Sequence, residues 1–148
     1  MIIQMKPMPY TVPYTRDQLV DLLRRHGINP THQRLEIAHA LFARGEHVSA
    51  DQVLAAVNDR HSETSKATVY NTLRLFLEKR LIREVIADPS RVFYDPNTER
   101  HHHFYNVDTG ELTDIAAAGV AVHGLPALPD GMETEGVDII VRIRARAS

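Results

Sequence analysis

Between Arg16 and Leu77 apolar residues recur every three or four positions in four short blocks, and beyond Leu81 that spacing gives way to shorter, strand-like runs. A chain with this switch in period folds as a small helical bundle followed by sheet, an α+β arrangement. The first block, Arg16 to His26, carries Leu19, Val20, Leu22 and Leu23 and stops at Gly27. The second opens at Thr31, an N-cap candidate after Pro30, and runs through Leu35, Ala38, Leu41 and Phe42 toward Gly45. The third starts at Ser49, with Gln52 spaced for a capping box, and lines up Val53, Leu54 and Val57. The fourth begins near Ser65 and sets Val69, Leu73, Phe76 and Leu77 on one side. Ahead of them residues 1 to 14, with prolines at 7, 9 and 13, read as an extended arm.

Leu81 to Ile86 and Arg91 to Asp95 are rich in β-branched or aromatic residues and flank Asp88-Pro89-Ser90, so they predict a hairpin. A hairpin behind a helix-turn-helix is a wing, and the pair predicts a winged-helix DNA-binding head. The turn composition of residues 96 to 100, with Pro96 and Asn97, marks a hinge. The domains expected are therefore residues 1 to 95, the hinge at 96 to 100, and a second small domain at 101 to 148. In the latter, Phe104 to Val107 and Glu111 to Ile115 flank Asp108-Thr109-Gly110 as strand, turn and strand, and a small helix is predicted over Ala116 to His123. Val137, Ile139, Val141 and Ile143 alternate with Asp138, Arg142 and Arg144 as a final strand. Ile140 falls on its polar face, where a second subunit is one candidate to cover it.

The chain of 148 residues has no cysteine, so any metal must be held by nitrogen and oxygen, and a disulfide or thiolate site is excluded. No run of about 18 apolar residues is present, which predicts no membrane span and a cytoplasmic location. The net charge of −2 is uneven. Residues 1 to 86 hold 12 Lys and Arg against 9 Asp and Glu, while residues 87 to 148 hold 5 against 10. The first part, at +3, suits an anionic partner better than the second, at −5.

Two clusters carry chemistry. In an extended segment His101 and His103 share a face while His102 looks the other way, and with Asp95 nearby they make a plausible half of a metal site. The alternative is a polar strand edge. The fourth helix opens with Ser65, Lys66, Thr68, Tyr70 and Asn71, groups able to meet phosphates and base edges. Lys66, Arg74 and Arg34 are candidates for phosphate contacts, and Arg91 is a candidate for backbone contact from the wing. The alternatives here are a solvated helix face and, for Tyr70, a core aromatic.

Thr31-His32-Gln33-Arg34, His47-Val48-Ser49-Ala50-Asp51, Ala67-Thr68-Val69-Tyr70-Asn71-Thr72-Leu73, Val92-Phe93-Tyr94-Asp95 and His101-His102-His103 together resemble the ferric uptake regulator family of transcription factors. Asn71, the His-His-His-Phe-Tyr run and Pro129-Asp130-Gly131 followed by Val137 to Arg142 resemble its iron response regulator branch most. The resemblance implies a winged helix hinged to a small α/β dimerisation domain, a homodimer, and binding to double-stranded DNA at an AT-rich inverted repeat. It implies a regulatory metal site of the peroxide-regulator type at His47, Asp95, His101, His103 and Asp114. Three imidazoles and two carboxylates suit Fe²⁺ or Mn²⁺, with Zn²⁺ also able to bind in vitro. Many members hold a structural zinc with paired Cys-x-x-Cys motifs, and at the first pair this chain has Asn106 and Thr109, so a four-cysteine zinc is expected to be absent. Haem, if bound, must use His101, His102 or His103. The leading expectation is a metal- or haem-responsive regulator of iron and haem genes. A peroxide-sensing metal-dependent repressor is the alternative, and a small metalloenzyme, for which no general base is evident, is the third.

Overall fold

The computed structural model describes residues 14–43, 47–60, 64–99 and 101–147. The predicted arm, except its last residue, the predicted stop at Gly45 and Arg100 of the hinge lie outside the described residues. Two compact units divide the chain, one ending at Thr98 and the other beginning at Glu99.

The first unit holds four helices, α1 (Arg16–Arg25), α2 (His32–Ala43), α3 (Ala50–Arg60) and α4 (Lys66–Glu78), then strands β1 (Arg83–Asp88) and β2 (Arg91–Asp95). Their ends are set by local chemistry. Thr15 and Gln18 close a capping box on α1, at the same three-residue spacing as Ser49 and Gln52. Ser49 and Gln52 form the predicted box on α3, each side chain taking the other's backbone N–H at 3.2 and 2.9 Å. Gly27, with φ +72°, ends α1 as Ile28 N–H turns back to the Leu23 carbonyl at 2.9 Å. The same turn ends α4, where Leu81 N–H reaches the Phe76 carbonyl and Arg80 takes the positive φ of 59°.

The apolar faces then meet in one core. Leu23, Ile37, Ala38, Leu41, Val69, Leu73 and Phe76 have no solvent exposure, and Val48, Val53, Val57, Leu81, Ile82 and Tyr94 join them. Leu81 and Ile82 thus belong to the helical core, and β1 starts two residues later than predicted because Arg80 is still turning the chain. Arg60 at the end of α3 donates to the His39 ring on α2 at 2.7 Å and lies 3.9 Å from Glu36. Burial, and next the Arg60 charge, hold the His39 pKa below its ordinary value, against the pull of Glu36.

β1 and β2 pair antiparallel, with Ser90 N–H and Oγ both bonded to Asp88 Oδ1 at 2.8 Å across the predicted turn. An isolated antiparallel bridge also joins Val48, just before α3, to Tyr94.

The second unit is a three-stranded sheet of order β4-β3-β5, from β3 (His101–Asn106), β4 (Leu112–Ala116) and β5 (Ile140–Ile143). β3 therefore begins at the histidines, earlier than the predicted Phe104. Asn106 Oδ1 accepts from Asp108 and Thr109 N–H to shape the β3–β4 turn, and Gly110 supplies its φ of +76°. The helix predicted over Ala116 to His123 is only a single 3₁₀ turn, Ala117–Gly119. Its alanines favour helix, but Gly119, Val120 and Val122 do not, and no apolar stripe supports one. β5 is half the predicted length and pairs parallel with β3, with Val141 and Ile143 exposed and Ile140 half-buried. Among the described residues no helix is long and apolar enough to cross a membrane.

Candidate metal centre and DNA face

Two groups of metal-ligand residues arise, one in each unit, and each follows from strand register. In the first unit, Val48 N–H donates to the Tyr94 carbonyl at 3.1 Å and Tyr94 N–H donates to the Val48 carbonyl at 2.7 Å. In an antiparallel pair the neighbours of such a bridge fall opposite one another. His47 and Asp95 are those neighbours, and His47 Nε2 lies 3.1 Å from Asp95 Oδ2. Asp95 is buried and its Oδ1 also accepts Asn97 N–H at 2.9 Å.

In the second unit His101 and His103 share a face of β3, with ring centroids 4.5 Å apart. His103 pairs with Asp114 across the antiparallel β3–β4 ladder, and His101 pairs with Ala116, two residues on. Asp114 Oδ1 accordingly lies 3.4 Å from Nε2 of both imidazoles. His101 Nδ1 donates to the Glu99 carbonyl at 2.6 Å, so in the neutral ring it is Nε2, on the Asp114 side, that carries the lone pair. The two rings and the carboxylate fit a divalent cation in donor type and direction, with a carbonyl behind one ring to fix its tautomer. His102 faces the other way, and its Nδ1 accepts Ile139 N–H at 3.1 Å next to β5.

The predicted DNA residues lie in the first unit. Val69, Thr72, Leu73 and Phe76 bury one side of α4, leaving Lys66, Tyr70, Asn71 and Arg74 on its exposed side. Tyr70 is 42 % exposed, which rules out the core-aromatic alternative. Lys66 Nζ lies 5.9 Å from the Tyr70 ring centre and 4.0 Å from Asp51, two loose contacts that hold a cation at the first turn. Ser65 and Thr68 serve the helix itself: Ser65 Oγ accepts Thr68 N–H at 3.1 Å and meets its hydroxyl at 2.9 Å. Arg34 Nη1 is tied to the Asn29 carbonyl at 3.0 Å, while Arg91 is exposed at the start of β2. A groove lined by Thr31, His32, Gln33, Arg34, Thr68 and Asn71 runs between the first turns of α2 and α4. Thr31, His32 and Gln33, exposed at the start of α2, line this groove beside the predicted Arg34, Thr68 and Asn71.

Burial raises the Tyr94 hydroxyl pKa above its ordinary value, with Glu84 and Tyr70 adding to the rise and Arg74 opposing it.

The model of the ferric uptake regulator family matches residues 25–140. Among curated relatives, the peroxide-responsive repressor PerR of Staphylococcus epidermidis is 28 % identical over 105 residues, covering 71 % of this chain and 70 % of that protein. That of Staphylococcus aureus strain Mu50 is 29 % identical over 105 residues and 71 % of each. Among solved structures, the ferric uptake regulator from Pseudomonas aeruginosa with manganese has a TM-score of 0.65 at 23 % identity, over 86 % of this chain and 97 % of that one. The ferric uptake regulator from Francisella tularensis with iron has a TM-score of 0.66 at 21 % identity, over 81 % and 93 %. These structures share the α+β fold described above.

Proposed function

The chain belongs to the ferric uptake regulator family of metal-responsive, DNA-binding transcription regulators, not enzymes, and on that premise we propose that it is a homodimeric, cytoplasmic regulator of iron and haem genes. In this reading His47, Asp95, His101, His103 and Asp114 hold one regulatory Fe²⁺ or Mn²⁺. The observation that carries it is the convergence of His101 and His103 on Asp114, with His101 locked in the ligating tautomer by Glu99. The bound cation would supply a fixed set of ligand directions. The chain's own residues do the rest: Asp114 orients two imidazoles, and Asp95 stands ready against His47 at the end of β2. Residues 96 to 100, the hinge between domains 1–95 and 101–148, would take up any change of angle.

Ser65, Lys66, Thr68, Tyr70, Asn71 and Arg74 of α4, with Arg34 and Arg91, are the proposed DNA contacts. The exposed side of α4 supports that reading, with Ser65 and Thr68 acting mainly as its cap. A two-fold dimer reads an inverted repeat, and we take an AT-rich one as the operator. The resemblance to the iron response regulator branch adds haem as a signal at His101, His102 or His103. His102 reaches it only by giving up its bond from Ile139 N–H.

A second reading makes hydrogen peroxide the signal, supported by the staphylococcal peroxide-responsive repressors at 28 and 29 % identity. One peroxide oxygen would be inserted into a ring C–H of a ligand histidine and the other would leave as water.

Fluorescence anisotropy on an AT-rich inverted-repeat duplex decides among these, with the protein metal-free, loaded with Mn²⁺, and loaded with haem. Tight binding abolished by haem is the expected result. Binding that needs Mn²⁺ and ignores haem, with added oxygen on His47 or His101 after peroxide treatment of the iron form, selects the peroxide sensor. Absence of sequence-specific, salt-dependent binding under every condition would overturn both.

A further inference from the structure

Tyr94 connects the two functional groups of the first unit. Its backbone makes both hydrogen bonds of the bridge to Val48, at 3.1 and 2.7 Å, and the opposed pair next to that bridge is His47, beside Val48, and Asp95, beside Tyr94. Strand alternation sends its ring the opposite way from the Asp95 carboxylate. Tyr94 is 7 % exposed and belongs to the helical core with Val48, Val53, Val69 and Leu73. Val69 and Leu73 of that core lie on α4, whose opposite, exposed side carries Tyr70 and Arg74.

We propose that Tyr94 is a positioning residue that couples the His47–Asp95 pair to the DNA-facing side of α4 within the helical unit itself. This rests on the metal and DNA reading above. Ligation imposes directions on His47 and Asp95 that a 3.1 Å contact does not. Any adjustment between them acts first on the two bridged residues, Val48 and Tyr94. A close-packed core does not absorb a displaced ring locally but passes it on, and Val69 and Leu73 of α4 belong to that core. The device needs the ring and not the hydroxyl, so phenylalanine is the conservative replacement.

The test compares the full-length wild type, Tyr94→Phe and Tyr94→Leu for operator affinity with and without Mn²⁺, and for Mn²⁺ affinity without DNA. Tyr94→Leu is expected to cut the Mn²⁺-induced gain in operator affinity by roughly tenfold. Its metal-free operator affinity and its Mn²⁺ affinity should stay near wild type, and Tyr94→Phe should keep the full gain. A merely structural role would weaken both metal-free and metal-loaded binding and leave their ratio unchanged, which would overturn the inference. If Tyr94→Leu does not fold, 3-fluorotyrosine placed at Tyr70 of the otherwise unchanged protein decides. Its ¹⁹F resonance should shift on loading with Zn²⁺, a diamagnetic probe, and a resonance that stays put overturns the coupling. A wild type whose operator affinity ignores metal would instead remove the regulatory-metal part of the functional reading, and this inference with it.

Discussion

Asp114 is placed by register opposite His103 and two residues from the partner of His101, so one carboxylate meets two imidazoles. Its side chain is 41 % exposed, so it contributes little to packing and much to any cation held there. Asp114→Ala is expected to weaken Mn²⁺ binding by about 10- to 100-fold, while shifting metal-free stability by no more than about 0.5 kcal/mol. Calorimetric Mn²⁺ titration and urea denaturation of the apo protein check the two halves. Arg80 illustrates the opposite balance. It is the non-glycine residue at positive φ among those described, and it sits where Gly27 sits at the end of α1. A side chain there costs about 1–2 kcal/mol, offset in part by the greater freedom glycine loses on folding. Arg80→Gly is therefore expected to stabilise the protein by up to about 1 kcal/mol, read as a higher urea midpoint at unchanged slope.

At the scale of elements, α1 to α4 were legible because each pairs an apolar stripe with a stop or cap written in residues, as Ser49 with Gln52 or Gly27 after His26. The β1–β2 hairpin was legible from Asp88-Pro89-Ser90. What escaped depends on pairing partners distant in sequence. β5 covers only Ile140–Ile143, set by its pairing with His103 to Asn106 of β3, and there the apolar Val141 and Ile143 stay exposed. The Val48–Tyr94 bridge joins positions 46 residues apart and has no local signature. The resemblance to the family nominated all five proposed ligand residues, but nothing in one sequence announces that the Glu99 carbonyl would accept from His101 Nδ1. The α2–α3 pairing carries a prediction of its own. Because the folded state holds His39 below its ordinary pKa, the unfolded chain binds that proton more readily. Stability from this site is complete above about pH 6.5 and is lost as the pH falls toward the lower folded pKa. His39→Asn should narrow the drop in metal-free Tm between neutral and mildly acidic buffer relative to wild type, as read by differential scanning calorimetry.

For the molecule as a whole, a net charge of −2 gives no general attraction to DNA, so binding must come from cations concentrated on one face. Lys66 and Arg74 are the candidates on α4, and Ala at either position is expected to lower operator affinity and reduce the slope of log affinity against log salt by about 1. Anisotropy titrations at several salt concentrations measure both. The sheet of the second unit has a further consequence. β3 is its central strand, and its parallel neighbour β5 arrives only after the connection spanning residues 117–139, whereas β4 follows β3 across a short turn. Closing that longer loop must precede any gain from the β3–β5 pairing, so the hairpin forms early and β5 docks late. The strand bearing the histidines therefore begins with one edge satisfied and the other open. In pulse-labelled hydrogen exchange, the His103 amide, which donates to Ile139, should become protected later than the β3 amides that bond to β4.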